Sequence, residues 1–169
     1  GSDSSGSGLV DDDCDYEGPN FVFAWGDSSL SPDTILLHAT DDDGSTVSVE
    51  IPITIKNKPP IAAGESSSET IVEGDLVILS ATGSTDTPSD LPFLNYAWDL
   101  DTDSDSDGDG DPGNDRDMVG YSIQVAFADD GARTVRLLVS DGTETTNFDI
   151  VIRVDPAPQP MGVLIASAG

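Results

Sequence analysis

Two stretches of strict alternation limit what this chain can become. Val47, Val49, Ile51, Ile53 and Ile55 are apolar, while Ser48, Glu50, Pro52 and Thr54 between them are not. Phe148, Ile150, Ile152 and Val154 repeat the pattern near the other end. Successive side chains of a strand point to opposite faces, so a period of two demands a strand with one buried face. Pro52 has no amide hydrogen to give to a ladder, which places the first of these strands at a sheet edge.

Each alternating stretch follows another apolar run, Ile35-Leu36-Leu37 in one case and Val135-Arg136-Leu137-Leu138-Val139 in the other. The turns between them, Asp41-Asp42-Asp43-Gly44 and Asp141-Gly142, have hairpin chemistry. The correspondence is an internal repeat. Ala24-Trp25-Gly26-Asp27 matches Ala126-Phe127-Ala128-Asp129, and residues 34–41 match 134–141. A spacing of about 100 residues suits a domain rather than a solenoid turn. Lys56-Asn57-Lys58-Pro59-Pro60 separates the copies, and its paired prolines fix a short extended linker. The copies are unequal. The second has room for about seven strands, including 76–81, 96–100 and 121–127, whereas the first holds only the last three, at 21–25, 35–39 and 47–55. No helical period with caps occurs. The chain therefore reads as all-β, with immunoglobulin-like β-sandwich modules in tandem: a partial module over 1–56, a complete one over 57–155, and a Pro-rich spacer with an apolar tail over 156–169. Val77, Leu79, Tyr96, Trp98, Ile123, Val125, Phe127, Val135, Leu137 and Val139 are the expected core.

Charge narrows the partners. The 169 residues include 33 acids against 6 bases, a formal net charge of −27, and 27 of the acids are aspartate. Aspartate favours turns and oxygen-ligand loops over helix faces. Such a surface repels nucleic acid and anionic membranes and attracts divalent cations, though it also serves plain solubility. Cys14 is the only cysteine, so the chain contains neither an internal disulfide nor a cysteine zinc site. No apolar run approaches the roughly 20 residues of a membrane helix, and no signal peptide is visible.

The second copy resembles a known family. Gly74-Asp75-Leu76-Val77-Ile78-Leu79-Ser80-Ala81-Thr82-Gly83-Ser84-Thr85-Asp86 looks like the opening of a polycystic-kidney-disease (PKD) domain. Tyr96-Ala97-Trp98-Asp99-Leu100 resembles its Tyr-x-Trp-Asp-Phe signature, and residues 131–142 resemble its closing hairpin. Leu100 replaces the signature phenylalanine, and a long acidic insertion replaces the Gly-Asp-Gly turn that should follow. The resemblance implies an immunoglobulin-like sandwich, extracellular placement, and roles in adhesion, spacing or assistance to attached hydrolases. Trp98 reads as a core anchor.

The acidic insertion carries the chemistry. Nine of the nineteen residues from 99 to 117 are aspartate: Asp99, Asp101, Asp103, Asp105, Asp107, Asp109, Asp111, Asp115 and Asp117. Calcium takes six to eight oxygens at about 2.3–2.6 Å from a pliable loop, and Gly108, Gly110 and Gly113 allow tight wrapping. Asp103-x-Asp105-x-Asp107-Gly108 matches half of an EF-hand loop, but Asn114 stands where the bidentate glutamate belongs. Magnesium, which keeps rigid octahedra and its waters, fits less well. The competing reading is a disordered, self-repelling loop. Strands on both sides argue against it, because crowded carboxylates would oppose closure of the sandwich without cations. The resemblance further implies an ion near Asn57, Asp86 and Asp99, with turn and capping chemistry as the alternative. Asp41, Asp42 and Asp43 read as a hairpin turn rather than a further ligand set.

Catalysis finds little support. His38, the only histidine, alternates out of phase with Ile35, Leu37 and Ala39 and reads as a surface strand residue. No nucleophile elbow, phosphate loop or histidine metal set occurs. Two functions remain: a calcium-rigidified structural or adhesive spacer of a larger surface or secreted protein, and a polysaccharide- or protein-binding accessory module beside a secreted hydrolase or protease. Buried aromatics favour the first and exposed aromatics the second. The incomplete first copy would expose an apolar face, which suggests strand pairing with neighbouring copies or other surface proteins. The tail at 161–166 is apolar enough to be a guest strand, or it begins a further domain.

Overall fold

The computed structural model describes residues 16–22 and 33–159. Among these, ten strands and one three-residue 3₁₀ turn, Leu91–Phe93, make up the regular structure. Strands β1 (Asp33–Thr40) and β2 (Thr46–Ile53) form a two-stranded antiparallel hairpin. The rest builds two sheets. One is the five-stranded order β4-β10-β9-β6-β7, from β4 (Thr70–Val72), β10 (Thr145–Asp155), β9 (Gly131–Ser140), β6 (Asn95–Asp99) and β7 (Met118–Val119). The other is the three-stranded order β3-β5-β8, from β3 (Glu65–Ser66), β5 (Leu76–Ser80) and β8 (Ser122–Ala126). The chain changes sheet between β3 and β4, and β4 joins β10 in parallel. The molecule is thus an all-β protein whose larger part is a β-sandwich.

Alternation places the core. Trp98 of β6, Val135, Leu137 and Val139 of β9, and Ile150, Ile152 and Val154 of β10 point from the large sheet onto Val77, Leu79 and Ile123 of the small one, and all are buried. Phe127, just past β8, is buried with them. Tyr96 and Val125 are half-buried against the same cluster, so the expected core is the observed one. Trp98 Nε1 donates to the Gly120 carbonyl at 2.9 Å, which settles the indole's one polar group inside an apolar setting. The layers meet closely. A methyl built on Gly64 would lie 2.9 Å from the Ser80 carbonyl oxygen and 3.2 Å from Leu137.

Two expectations from alternation need correction. In β2, Val47 and Val49 are 68% and 54% exposed, and Ile51 is exposed as well. The period made the strand, but its apolar face is not buried, because the hairpin pairs only with itself among the described residues. Phe148 likewise has the parity of Ile150 yet is 39% exposed, at the fourth residue of β10. Phe21 and Val22 carry no strand; 23–25, Cys14 and the tail at 161–166 lie outside the described residues.

The two hairpins nonetheless pair corresponding apolar residues, the first around a five-residue turn (41–45) and the second around a four-residue one (141–144). Ile35 pairs with Ile51 and Leu37 with Val49, as Val135 pairs with Ile150 and Leu137 with Phe148. Their turns are closed by the same chemistry. Asp41 Oδ1 accepts from the amides of Asp43 and Ser45, and Asp141 Oδ1 from those of Thr143 and Glu144. The Asp41 cluster is therefore a turn, as its sequence indicates. His38 is exposed on β1 and bonds Ser48 across the hairpin at 2.8 Å.

Candidate metal centre

The outer face of the large sheet positions the acidic loop. Alternation turns Ala97 and Asp99 of β6, and Arg136 and Leu138 of β9, away from the core. Ala97 and Leu138 are nevertheless buried and stand apart from the core cluster. Residues 100–117 fold back over them. A hollow of about 440 Å³ lies between Ser106, Asp107, Asp109 and Asn114 of the loop and Leu138 and Thr145 of the sheet. Leu138 is the signal for this cover in the sequence, an apolar residue on a face that alternation assigns to solvent.

Arg136 holds the loop down. Its Nε and Nη2 donate to the two carboxylate oxygens of Asp149 at 2.7 and 2.8 Å, and its Nη1 donates to the Gly113 carbonyl at 3.1 Å. A methyl on Gly113 would come within 2.6 Å of Nη1, so the glycine allows this approach. Hydrogen bonding to Arg136 holds the Asp149 carboxyl below its ordinary range despite partial burial. Neither Arg136 nor Asp149 was foreseen as part of the site.

The nine aspartates divide into a root and a tip. At the root, Asp99 and Asp115 are fully buried. Asp115 accepts from the amides of Ser106 at 2.6 Å and Asp107 at 3.2 Å. Asp117 accepts from the Leu100 amide at 2.8 Å and the Ser106 hydroxyl at 2.9 Å. Asp99 Oδ1 accepts from the Asp101 amide at 3.1 Å, while its Oδ2 is buried with no hydrogen-bond partner. Burial pushes the Asp99 carboxyl up to about 6; the Asp101 amide opposes this, Asp117 and Asp115 add to it, and Arg136 opposes it. Asp101 lies 3.9 Å from Arg133 and accepts from the Asp103 amide at 3.3 Å. At the tip, Asp105, Asp107 and Asp109 are exposed, with one carboxylate oxygen from each within 4.8 Å of the others. Asp105 uses both oxygens on the amides of Gly108 and Gly110, and Asp109 accepts from the Asp111 amide and the Asn114 side chain. The Asn114 bond, with the Asp111 amide, holds Asp109 below its ordinary range. Asp111 is exposed and accepts from the Gly113 amide at 3.1 Å. Oxygen donors of this number and kind fit calcium.

Asn57 and Asp99 do not converge. Asn57 donates to Asp141 at 2.8 Å and Glu144 at 3.0 Å, at the turn between β9 and β10. Asp99 pairs in register with Arg136, five residues back along the chain, about 16 Å at ~3.3 Å per strand residue. Asp86 stands beside the Ile61–Thr85 bridge. Its Oδ1 accepts from the Thr87 amide at 2.7 Å, and its Oδ2 is buried without a hydrogen-bond partner.

Fold and site together define a β-sandwich module bearing an acidic loop on one outer face. No family model matches the chain, and no curated protein matches it. Solved structures do. One, described as showing the structural basis for promiscuous specificity in carbohydrate-binding modules of the β-sandwich superfamily, is 25% identical with a TM-score of 0.44. The match covers 60% of this chain and 36% of that one, so the chain spans about a third of that structure's length. No helix among the described residues is long and apolar enough to cross a membrane.

Proposed function

We propose that this chain is a non-catalytic extracellular module in which calcium, held by the loop at 99–117, rigidifies a spacer of a larger surface or secreted protein. The observation that carries this reading is the packing of the loop. It lies folded on the sheet and buries two carboxylates, where a self-repelling loop would extend into water. Burying charge is costly unless it is paired, and Arg136, the register partner of Asp99, is already engaged by Asp149 and Gly113. A divalent cation supplies the missing positive charge. We further take the module over 57–155 as PKD-like, with the hairpin at 33–53 as the closing part of a second copy. Calorimetric titration with calcium, with magnesium as control, tests the reading. Heat from calcium alone, near one or two equivalents, is expected; no heat from either ion contradicts it.

A substrate-binding accessory module is the second reading, and specific side chains favour it. Trp98 and Phe127 are buried, but Phe93 is 70% exposed and Tyr121, packed edge-on against Tyr96 at 5.3 Å, is also exposed. Flat aromatic rings of this kind suit sugar faces or apolar peptide side chains. Soluble polysaccharides run against the protein and its Phe93→Ala variant in affinity electrophoresis test this reading. Retardation of the first and release of the second would replace the spacer reading.

A further inference from the structure

We infer that Asn57 is a clamp at the entrance of the sandwich. It fixes the direction of the incoming linker, so that whatever precedes the module is held in a set orientation and does not swivel. The inference goes beyond the calcium reading and does not depend on an ion. Neighbouring modules on one chain move against each other by default unless something restrains them. Here the restraint begins with one amide. Asn57 Nδ2 donates to Asp141 Oδ2 at 2.8 Å and to Glu144 Oε2 at 3.0 Å, so both of its hydrogens are used on carboxylates of the β9–β10 turn. Asp141 divides its oxygens between two tasks. Its Oδ1 shapes the turn by accepting from the Thr143 and Glu144 amides, which leaves Oδ2 for the linker. An aspartate at position 57 would set a third carboxylate against these two, whereas asparagine brings donors.

The following residues extend the hold. Pro59 and Pro60 fix their own φ. Pro60 is buried, and its carbonyl accepts from Thr146 Oγ1 at 2.9 Å. Ile61 exchanges both backbone bonds with Thr85, at 2.8 and 3.0 Å. Residues 57–61 are thus tied to the β9–β10 turn, to β10 and to the segment after β5. Strand β2 ends at Ile53, so only residues 54–56 separate it from the clamp. The exit is tied in a similar way. Glu73 accepts from the Asp130 amide through one oxygen and from the Ala157 amide through the other, each at 3.0 Å. Asp130 precedes β9 and Asp141 follows it, so the two clamps stand a strand apart, about 33 Å for its ten residues at ~3.3 Å each. The chain enters at one end of the sandwich and leaves at the other, as through an in-line strut.

Double electron–electron resonance on the full chain, in chelator, tests this. Nitroxides at Lys56→Cys and Gln124→Cys, both exposed positions, report the linker against the sandwich in a Cys14→Ser background. One narrow distance peak is expected. Asn57→Ala and Asn57→Asp should each replace it with a broad distribution, since one hydrogen bond to a charged group shifts such an equilibrium about tenfold or more. Glu144→Gln keeps an acceptor oxygen for Asn57 and should keep the narrow peak. Glu73→Ala, at the far end, should keep it too. Melting of every variant in a single transition shows that loosening is not unfolding. An equally narrow peak in both Asn57 variants, or a broad one in the parent, would overturn the clamp. Equal broadening by Glu73→Ala would do the same, by showing a general loosening. A parent peak that is narrow only when calcium is added would overturn it as well, and would leave the calcium reading standing.

Discussion

Trp98 and Asp99 are neighbours in sequence with opposite surroundings, because alternation sends one to the core and the other under the loop. Trp98→Ala should cost about 3–5 kcal/mol through lost burial and a cavity. Trp98→Phe should cost about 1–3 kcal/mol, chiefly by leaving the Gly120 carbonyl without its donor. Urea midpoints at unchanged slope measure both. Asp99 gives a pH signature in calcium-free buffer. Its folded pKa, about 6, lies above the ordinary aspartate value of 3.8, so the folded state holds the proton more tightly. Its contribution therefore favours the fold below about pH 4 and is lost as pH rises through about 6. Subtracting the melting profile of Asp99→Asn from that of the parent should isolate this decline; a flat difference across the window would contradict the buried, unpartnered state. Trp98 was legible from its motif and parity. The burial of Asp99 was not, because nothing local to the aspartate run says which carboxylates face the sheet.

At the scale of elements, the strands were readable and their coverings less so. Period-two runs located β2, β9 and β10, and the Asp-Gly turns located both hairpins. Whether a strand's apolar face is covered depends on a second sheet, which alternation does not report; hence the exposed Val47 and Val49. The loop was legible as a dense ligand set but not as a folded cap, since its anchor comes from β9. Arg136 closes it through Asp149 and Gly113, so Arg136→Met should release the loop while leaving the core intact. Hydrogen exchange should then accelerate at the amides of Ser106 and Asp107, held by Asp115, and stay slow in β5 and β9. Gly113→Ala should act in the same direction, because its methyl displaces Nη1. Unchanged protection of those two amides in Arg136→Met would show that the loop is held by other means.

At the scale of the whole molecule, the sandwich contains its own core, and β1–β2 contributes nothing to that cluster. A chain spanning 56–159 should therefore melt in one transition, within a few degrees of the longer chain. A loss of cooperativity would make the hairpin part of the same folding unit. All-β character was legible in the sequence because its two alternating stretches have period two and no helical period with caps occurs. The central claim is that calcium bound by the acidic loop stabilises this sandwich. Thermal unfolding of the whole chain in excess calcium and in chelator, at matched ionic strength, tests it most directly. An ion that binds only the folded state at about a hundred times its dissociation constant adds about 2.7 kcal/mol, or roughly 10–20 °C for a domain of about 100 residues. An upward shift of that order, absent with magnesium, is the expected result. Superimposable curves in calcium and chelator would contradict the claim.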